Sequence, residues 1–248
     1  MIKLFRKIRF KLITKNKTKK PTLQSGKYFK YAFGEIILVV IGILIALQIN
    51  NWNESRKQRE KEIVILLALK KGLESDLKTE FVEGIIFFNE SKVALENLSG
   101  FYNNTKTIPN DSLRKYIRRS LGGEWDFIFN TATFENLKAS GIDVISNDSL
   151  RSKISSLYSD KYPELKGRSN RVLRFYENQV CPILFDNINL FDSIFSKNDL
   201  DNLKNNRQLT NRTKALSATR AGLFSLANNI KPKVESLIND IDTELERN

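Results

Sequence analysis

Apolar positions along this chain fall into three regimes. Between Ile36 and Leu47 twelve consecutive residues are apolar, and Tyr31 to Asn50 contains only Glu35, Gln48 and Asn50 as strongly polar side chains, all near its ends. From Leu66 the pattern becomes a stripe: Leu66, Leu69, Leu73, Leu77, Phe81, Phe88, Leu95 and Leu98 keep helical spacing. This predicts one long amphipathic helix ending near Gly100 to Asn104. The third regime, Leu216, Leu223, Ile230, Val234, Leu237, Ile241 and Leu245, keeps phase through Pro232, which predicts a kinked helix or two stacked ones. The two stripes are expected to pair as an antiparallel couple at the centre of a helical bundle.

Shorter patterns lie between them. The pentapeptide NDSLR occurs at Asn110 to Arg114 and Asn147 to Arg151, and NDL follows at Asn198 to Leu200. Asn, Asp and Ser satisfy the free N–H groups of a first helical turn, so three helix caps are expected. Thr133 to Ser140 reads as a capped helix stopped by Gly141. Asp148 to about Asn187 is helical in pattern, with breaks allowed at Pro163 and Pro182. Trp125, Phe127 and Phe129, beside Gly122 and Gly123, either plug a helical core or line a pocket. Only five prolines and eleven glycines interrupt 248 residues. The expected fold class is all-α: a single N-terminal transmembrane helix continuing into an extracytoplasmic antiparallel helical bundle.

Twenty residues of α-helix measure about 30 Å, one hydrocarbon thickness. Tyr28, Phe29 and Tyr31 stand at one end of the run and Trp52 at the other, as interfacial anchors do. The first 30 residues hold eleven Lys or Arg and no acid, against Arg56, Lys57, Arg59 and Lys61 just beyond the span. The positive-inside rule then keeps the N-terminus in the cytoplasm. The layout is a basic cytoplasmic tail over 1–30, a transmembrane helix over 31–51 and an extracytoplasmic domain over 52–248. A cleavable signal peptide fits poorly, because the basic region is long and no small-residue cleavage site follows. The tail itself, with Ile2, Phe5, Ile8 and Leu12 among cations, is either an amphipathic helix on anionic lipid or a disordered arm. Within the span Glu35, Val39, Gly42 and Ala46 form one stripe, and Gly42 with Ala46 is a small-xxx-small pair. Such a stripe lets another transmembrane helix approach closely, its own copy or a partner's.

Charge changes the picture once it is located. The formal net charge is +13, yet outside the first 30 residues 30 basic groups face 28 acidic ones. A nucleic-acid partner, which requires a basic face on the folded body, is not expected. Histidine is absent and Cys181 is the lone cysteine. That excludes His-activated nucleophiles, a thiolate zinc site and an intramolecular disulfide. Cys181 is expected as a buried small hydrophobe, with an intermolecular disulfide as the alternative. Carboxylates alternate with lysine, as on solvated faces. No phosphate loop, nucleophile elbow or metal-ligand spacing is present, so no cofactor and no enzymatic activity are expected.

The segment YAFGEIILVVIGILIALQINNWNE, Tyr31 to Glu54, resembles the signature of a family of uncharacterised Bacteroidota membrane proteins. TFENLKASGIDVISNDSLRSKI, Thr133 to Ile154, resembles that family's middle motif. The resemblance implies a bacterial inner-membrane protein with one span and a periplasmic helical domain of unknown function, and supplies no catalytic residues. Asp111-Ser112-Leu113, Asp148-Ser149-Leu150 and Asp192-Ser193-Ile194 also resemble a short O-glycosylation motif of exported Bacteroidota proteins. The expected role is a membrane-anchored interaction or sensory module. The bilayer, anionic lipids at the tail, and its own copy or another membrane protein through the span are the expected partners. The alternatives are an envelope structural or assembly factor, or a carboxylate-based envelope enzyme.

Overall fold

A computed structural model of the chain describes residues 25–192 and 194–247, with side chains from Tyr31 onward. The expected interfacial helix of the tail and the Tyr28 anchor side chain lie outside the described residues. Every regular element among those described is helical. The chain divides into two units, Met1–Lys57 and Gln58–Asn248.

Helix α1 runs over Ser25–Asp76, with no proline to remove a backbone donor. A π-helical turn, Leu77–Val82, follows, then α2 over Glu83–Tyr102. The predicted amphipathic helix is therefore present, with a register shift inside it: one wide turn rotates the stripe by an extra residue. Its end at Tyr102 matches the expected loop, where Asn104 takes a left-handed conformation (φ 54°). Helix α3 spans Asn110–Leu121 and α4 spans Ala132–Ser140. Gly141 stops α4 with φ 101°, a conformation costly for any residue with a Cβ.

The two central prolines do not break the chain into separate helices. Helix α5 (Asp148–Ser156), a π-turn (Leu157–Lys161), α6 (Tyr162–Phe175), a second π-turn (Tyr176–Val180) and α7 (Cys181–Asn187) follow without a gap. Pro163 and Pro182 each stand in the first turn after a π-turn. There the missing N–H is tolerated, and the wide turn relieves the clash with the carbonyl one turn back. Helix α8 (Lys197–Asn205) precedes α9, which runs over Arg207–Leu245 as one 39-residue helix through Pro232. This removes the two-helix alternative.

The expected caps divide. Asn147 caps α5, its Oδ1 accepting from Leu150 N at 3.1 Å. At α8 the cap is Ser196, in a reciprocal box with Asp199. Asn110 does not cap α3. It bonds instead across the fold, donating to Phe195 O (2.7 Å) and accepting from Phe195 N (2.9 Å).

The core of the second unit joins both stripes: Leu66, Leu69, Leu73, Phe81, Phe88 and Leu98 are buried, as are Leu216, Leu223, Ile230, Val234, Leu237 and Ile241. Contacts along them run in reversed order, with Arg59 beside Glu244, Phe88 beside Phe224 and Ser91 beside Arg220. Phe127 and Phe129 pack within this core, stacked on Phe88 and Tyr162 respectively and tilted against Phe81, so the aromatic cluster is a plug. Gly84 lets Trp125 lie against α2, since a Cβ there would come within 2.8 Å of the indole Nε1. Cys181 is half-buried rather than buried.

Candidate functional site

Among the described residues, two surfaces and a set of buried polar clusters are candidate places of action. The first surface is the apolar part of α1. Its most apolar 18-residue window has a mean hydropathy of 2.5, and none of it is buried against the rest of the protein. One helix is thus long and apolar enough to cross a membrane. Glu35, Val39, Gly42 and Ala46 are all exposed, and a Cβ on Gly42 would meet nothing within 4 Å. Ala32, Glu35, Ile36, Val39 and Val40 line a shallow concavity on this helix. Tyr31 (61%) and Trp52 (66%) are exposed at either end of the apolar run, with the Arg56 guanidinium over the Trp52 ring at 5.9 Å. Among the described residues nothing covers the stripe.

The second surface is a groove of about 740 Å³ between α2 and α3, lined by Asn89, Glu90, Val93, Ala94, Lys115, Tyr116, Arg118 and Arg119. Ala94 is buried, and Val93 stands in the groove with 55% of its surface exposed. Glu90 pairs with Arg119. A groove able to hydrolyse with acidic residues needs two facing carboxylates remote from cations; this one has a single carboxylate beside an arginine.

The buried polar groups were not legible as such. Among the described residues, carboxylates expected on solvated faces include five with buried side chains: Glu62, Asp76, Glu124, Asp199 and Glu244. Glu62 accepts from Arg59 (2.8 Å) and from Ser146 N and Oγ (2.7 and 2.8 Å). Burial alone would raise its pKa, but these hydrogen bonds and the Arg59 charge together hold it below the usual range. Arg59 also donates to the carbonyls of Glu244 and Arg247, and Asn147 to the Glu244 carboxylate. The start of the second unit is thereby tied to the end of α9.

Arg220, 4% exposed, is the second hub. Its Nε donates to Glu124 (2.7 Å), Nη1 to Ser91 Oγ (2.6 Å) and Ser120 O (2.5 Å), and Nη2 to Gly123 O (2.9 Å). One guanidinium thus holds the glycine loop against α2 and α9. Burial pushes the Glu124 carboxyl up, and Arg220 offsets part of that rise.

Asp76 and Glu80 form the third cluster, held by amides rather than cations. Asp76 Oδ1 accepts from Asn130 N and Nδ2 (3.0 and 2.5 Å), and Glu80 from Ile128 N (3.0 Å). Burial raises the pKa of both. The hydroxyls of Tyr158 and Tyr162 and the second oxygen of Asp76 are buried without a well-formed hydrogen bond. Asp76 is fully sealed from solvent, so it staples the 128–130 segment to α1 and has no access to a substrate. Among the described residues no three acidic, cysteine or histidine side chains are placed to hold a metal ion.

Of these residues, Glu35, Val39, Gly42 and Ala46, with Tyr31 and Trp52, are the ones the sequence pattern singles out. Glu62 and Arg220 carried one signal: each stands in the register of a leucine stripe, four residues before Leu66 and four after Leu216. The groove carried none, because it depends on how α2 and α3 pack.

A family model described as a family of unknown function matches residues 35–211. No curated protein and no solved structure matches the chain.

Proposed function

Since the chain belongs to that family of unknown function, DUF6090, whose description assigns no activity, we propose from its own residues that it is a membrane-anchored helical interaction or sensory module. The observation that carries this reading is an apolar stretch of α1 that none of the described residues covers, while the chain's other apolar stripes are buried in one core. Exposing such a surface to water is strongly unfavourable, so a bilayer is its solvent. The charge asymmetry supports a single-pass signal anchor with a cytoplasmic N-terminus and residues 52–248 in the periplasm as an antiparallel helical bundle. The resemblance of Tyr31 to Glu54 to a Bacteroidota signature supports the inner membrane. The uncovered stripe Glu35, Val39, Gly42 and Ala46 is the face for a second copy or another membrane protein. Basic residues of the tail contact anionic lipid.

A non-enzymatic role is the reading the buried polar clusters support. Glu62 and Glu124 each bind an arginine, and Asp76 binds amides in a sealed core. The topology is tested with single cysteines in a Cys181→Ser background, at position 15 and at exposed Asp192, and a membrane-impermeant maleimide on spheroplasts. Labelling at 192 alone is expected. Labelling at 15 alone reverses the orientation, and labelling at both sites of intact spheroplasts contradicts a single span.

A further inference from the structure

Resting on the reading of the folded domain as an interaction module, we propose that the α2/α3 groove docks an amphipathic helix of a partner protein carrying carboxylates along one flank. The floor is apolar: Val93, Ala94 and the Tyr116 ring. Ile86, two turns before Val93 on the same face, is 50% exposed and extends that strip. Ile86 and Val93 are about 10 Å apart along the helix, the span of a partner's residues at i, i+3 or i+4, and i+7. Isolated exposed apolar residues are ordinary, but these stand in file on one face of α2, with Val93 inside the groove.

The rims differ in charge. Arg119 is matched by Glu90. Lys115 and Arg118, one turn apart on α3, are exposed, and neither meets an acidic side chain among the described residues. The result is an apolar trough with one uncompensated basic edge. A purely apolar helix would leave those cations unpaired beside a desolvated contact. A phosphate or a nucleic acid would leave the trough unused. A helix with a leucine-like stripe and Glu or Asp beside it satisfies both features, with charge complementarity setting its direction and register.

The test is a fluorescence-anisotropy titration of the full chain in nanodiscs of zwitterionic lipid, with empty discs as blank. The probe is a labelled peptide of about 18 residues, some 27 Å of helix, with a leucine stripe and a glutamate flank; its twin carries lysines. The glutamate peptide is expected to bind saturably and roughly tenfold or more tighter than its twin. Lys115→Glu with Arg118→Glu reverses that preference, and Val93→Asp weakens both peptides. Arg171→Glu with Arg174→Glu, an equal charge change on the exposed face of α6, leaves binding unchanged. Equal binding of both peptides, no binding of either, or equal loss in the α6 variant overturns the proposal. Capture of phosphatidylglycerol vesicles through Lys115 and Arg118 without peptide binding also overturns it, assigning the rim to lipid headgroups. A failed titration with an exported domain removes this groove alone, whereas a domain labelled from the cytoplasm removes the exported-module reading and leaves the titration to stand by itself.

Discussion

Replacing Arg220 with methionine removes the cation that, among the described residues, meets the buried Glu124 carboxylate, whose side chain is 1% exposed. Methionine fills much of the volume, so the loss is electrostatic rather than a cavity. Breaking a buried ion pair from one side costs about 3–5 kcal/mol, because the remaining charge has no partner. Three further hydrogen bonds disappear, to Ser91 Oγ, Ser120 O and Gly123 O, each worth about 1 kcal/mol net but shared within one network and not additive. The expected loss is therefore about 3–5 kcal/mol, a large fraction of a domain's stability. Adding Glu124→Gln to Arg220→Met should restore most of it, since no buried charge is left. The sign with pH is also set. Without Arg220 the folded-state pKa of Glu124 rises further above its ordinary 4.5, so the destabilisation shrinks as pH falls toward that value and grows above it. Urea unfolding of the full chain in mild detergent, followed by far-UV circular dichroism, reads all three quantities. A loss under about 1 kcal/mol, the size of one ordinary hydrogen bond, refutes the reasoning, as does a double variant no better than Arg220→Met.

Two further outcomes follow from the packing. Gly84→Ala sets a Cβ 2.8 Å from Trp125 Nε1 and should cost about 1–3 kcal/mol with a shifted tryptophan emission; an unchanged melt would mean that Trp125 does not rest on α2. Glu62 and Asp76 should respond oppositely to acid. Glu62, lowered below 4.5, contributes stability at neutral pH that is lost as pH falls through its folded value, so Glu62→Gln is most harmful near neutrality. Asp76, raised above 3.8, contributes stability below that value which is lost as pH rises. Asp76→Asn should therefore gain on the parent as pH rises above 3.8. Stability curves of the same slope for both variants would contradict these assignments.

Local features of the chain carried much of the fold. The leucine stripes on either side of the domain are buried as their spacing requires, and Gly141 stops α4 because the turn needs positive φ. What was not legible depends on partners far away in sequence. Asn110 looks like a cap but bonds Phe195, 85 residues on. Glu62, in a Lys/Glu-rich run, looks solvated until Ser146 and Arg59 enclose it. A helical periodicity also cannot distinguish a π-turn from an α-turn of one extra residue, so the chain's passage through Pro163 and Pro182 read as possible breaks. On the functional side, the long apolar run was legible because its length and polarity are properties of consecutive residues. The groove was not, because Val93 and Lys115 become neighbours only when α2 and α3 pack.

The central claim is that the uncovered stripe of α1 meets another helix in the membrane. Photo-crosslinking in native membranes from position 39, with and without Gly42→Leu, tests it most directly. The account predicts a discrete adduct, either a second copy or one other membrane protein, that is diminished by Gly42→Leu and unchanged by Leu38→Ile on another face. Adducts to lipid alone, or equal yields from both variants, would contradict it.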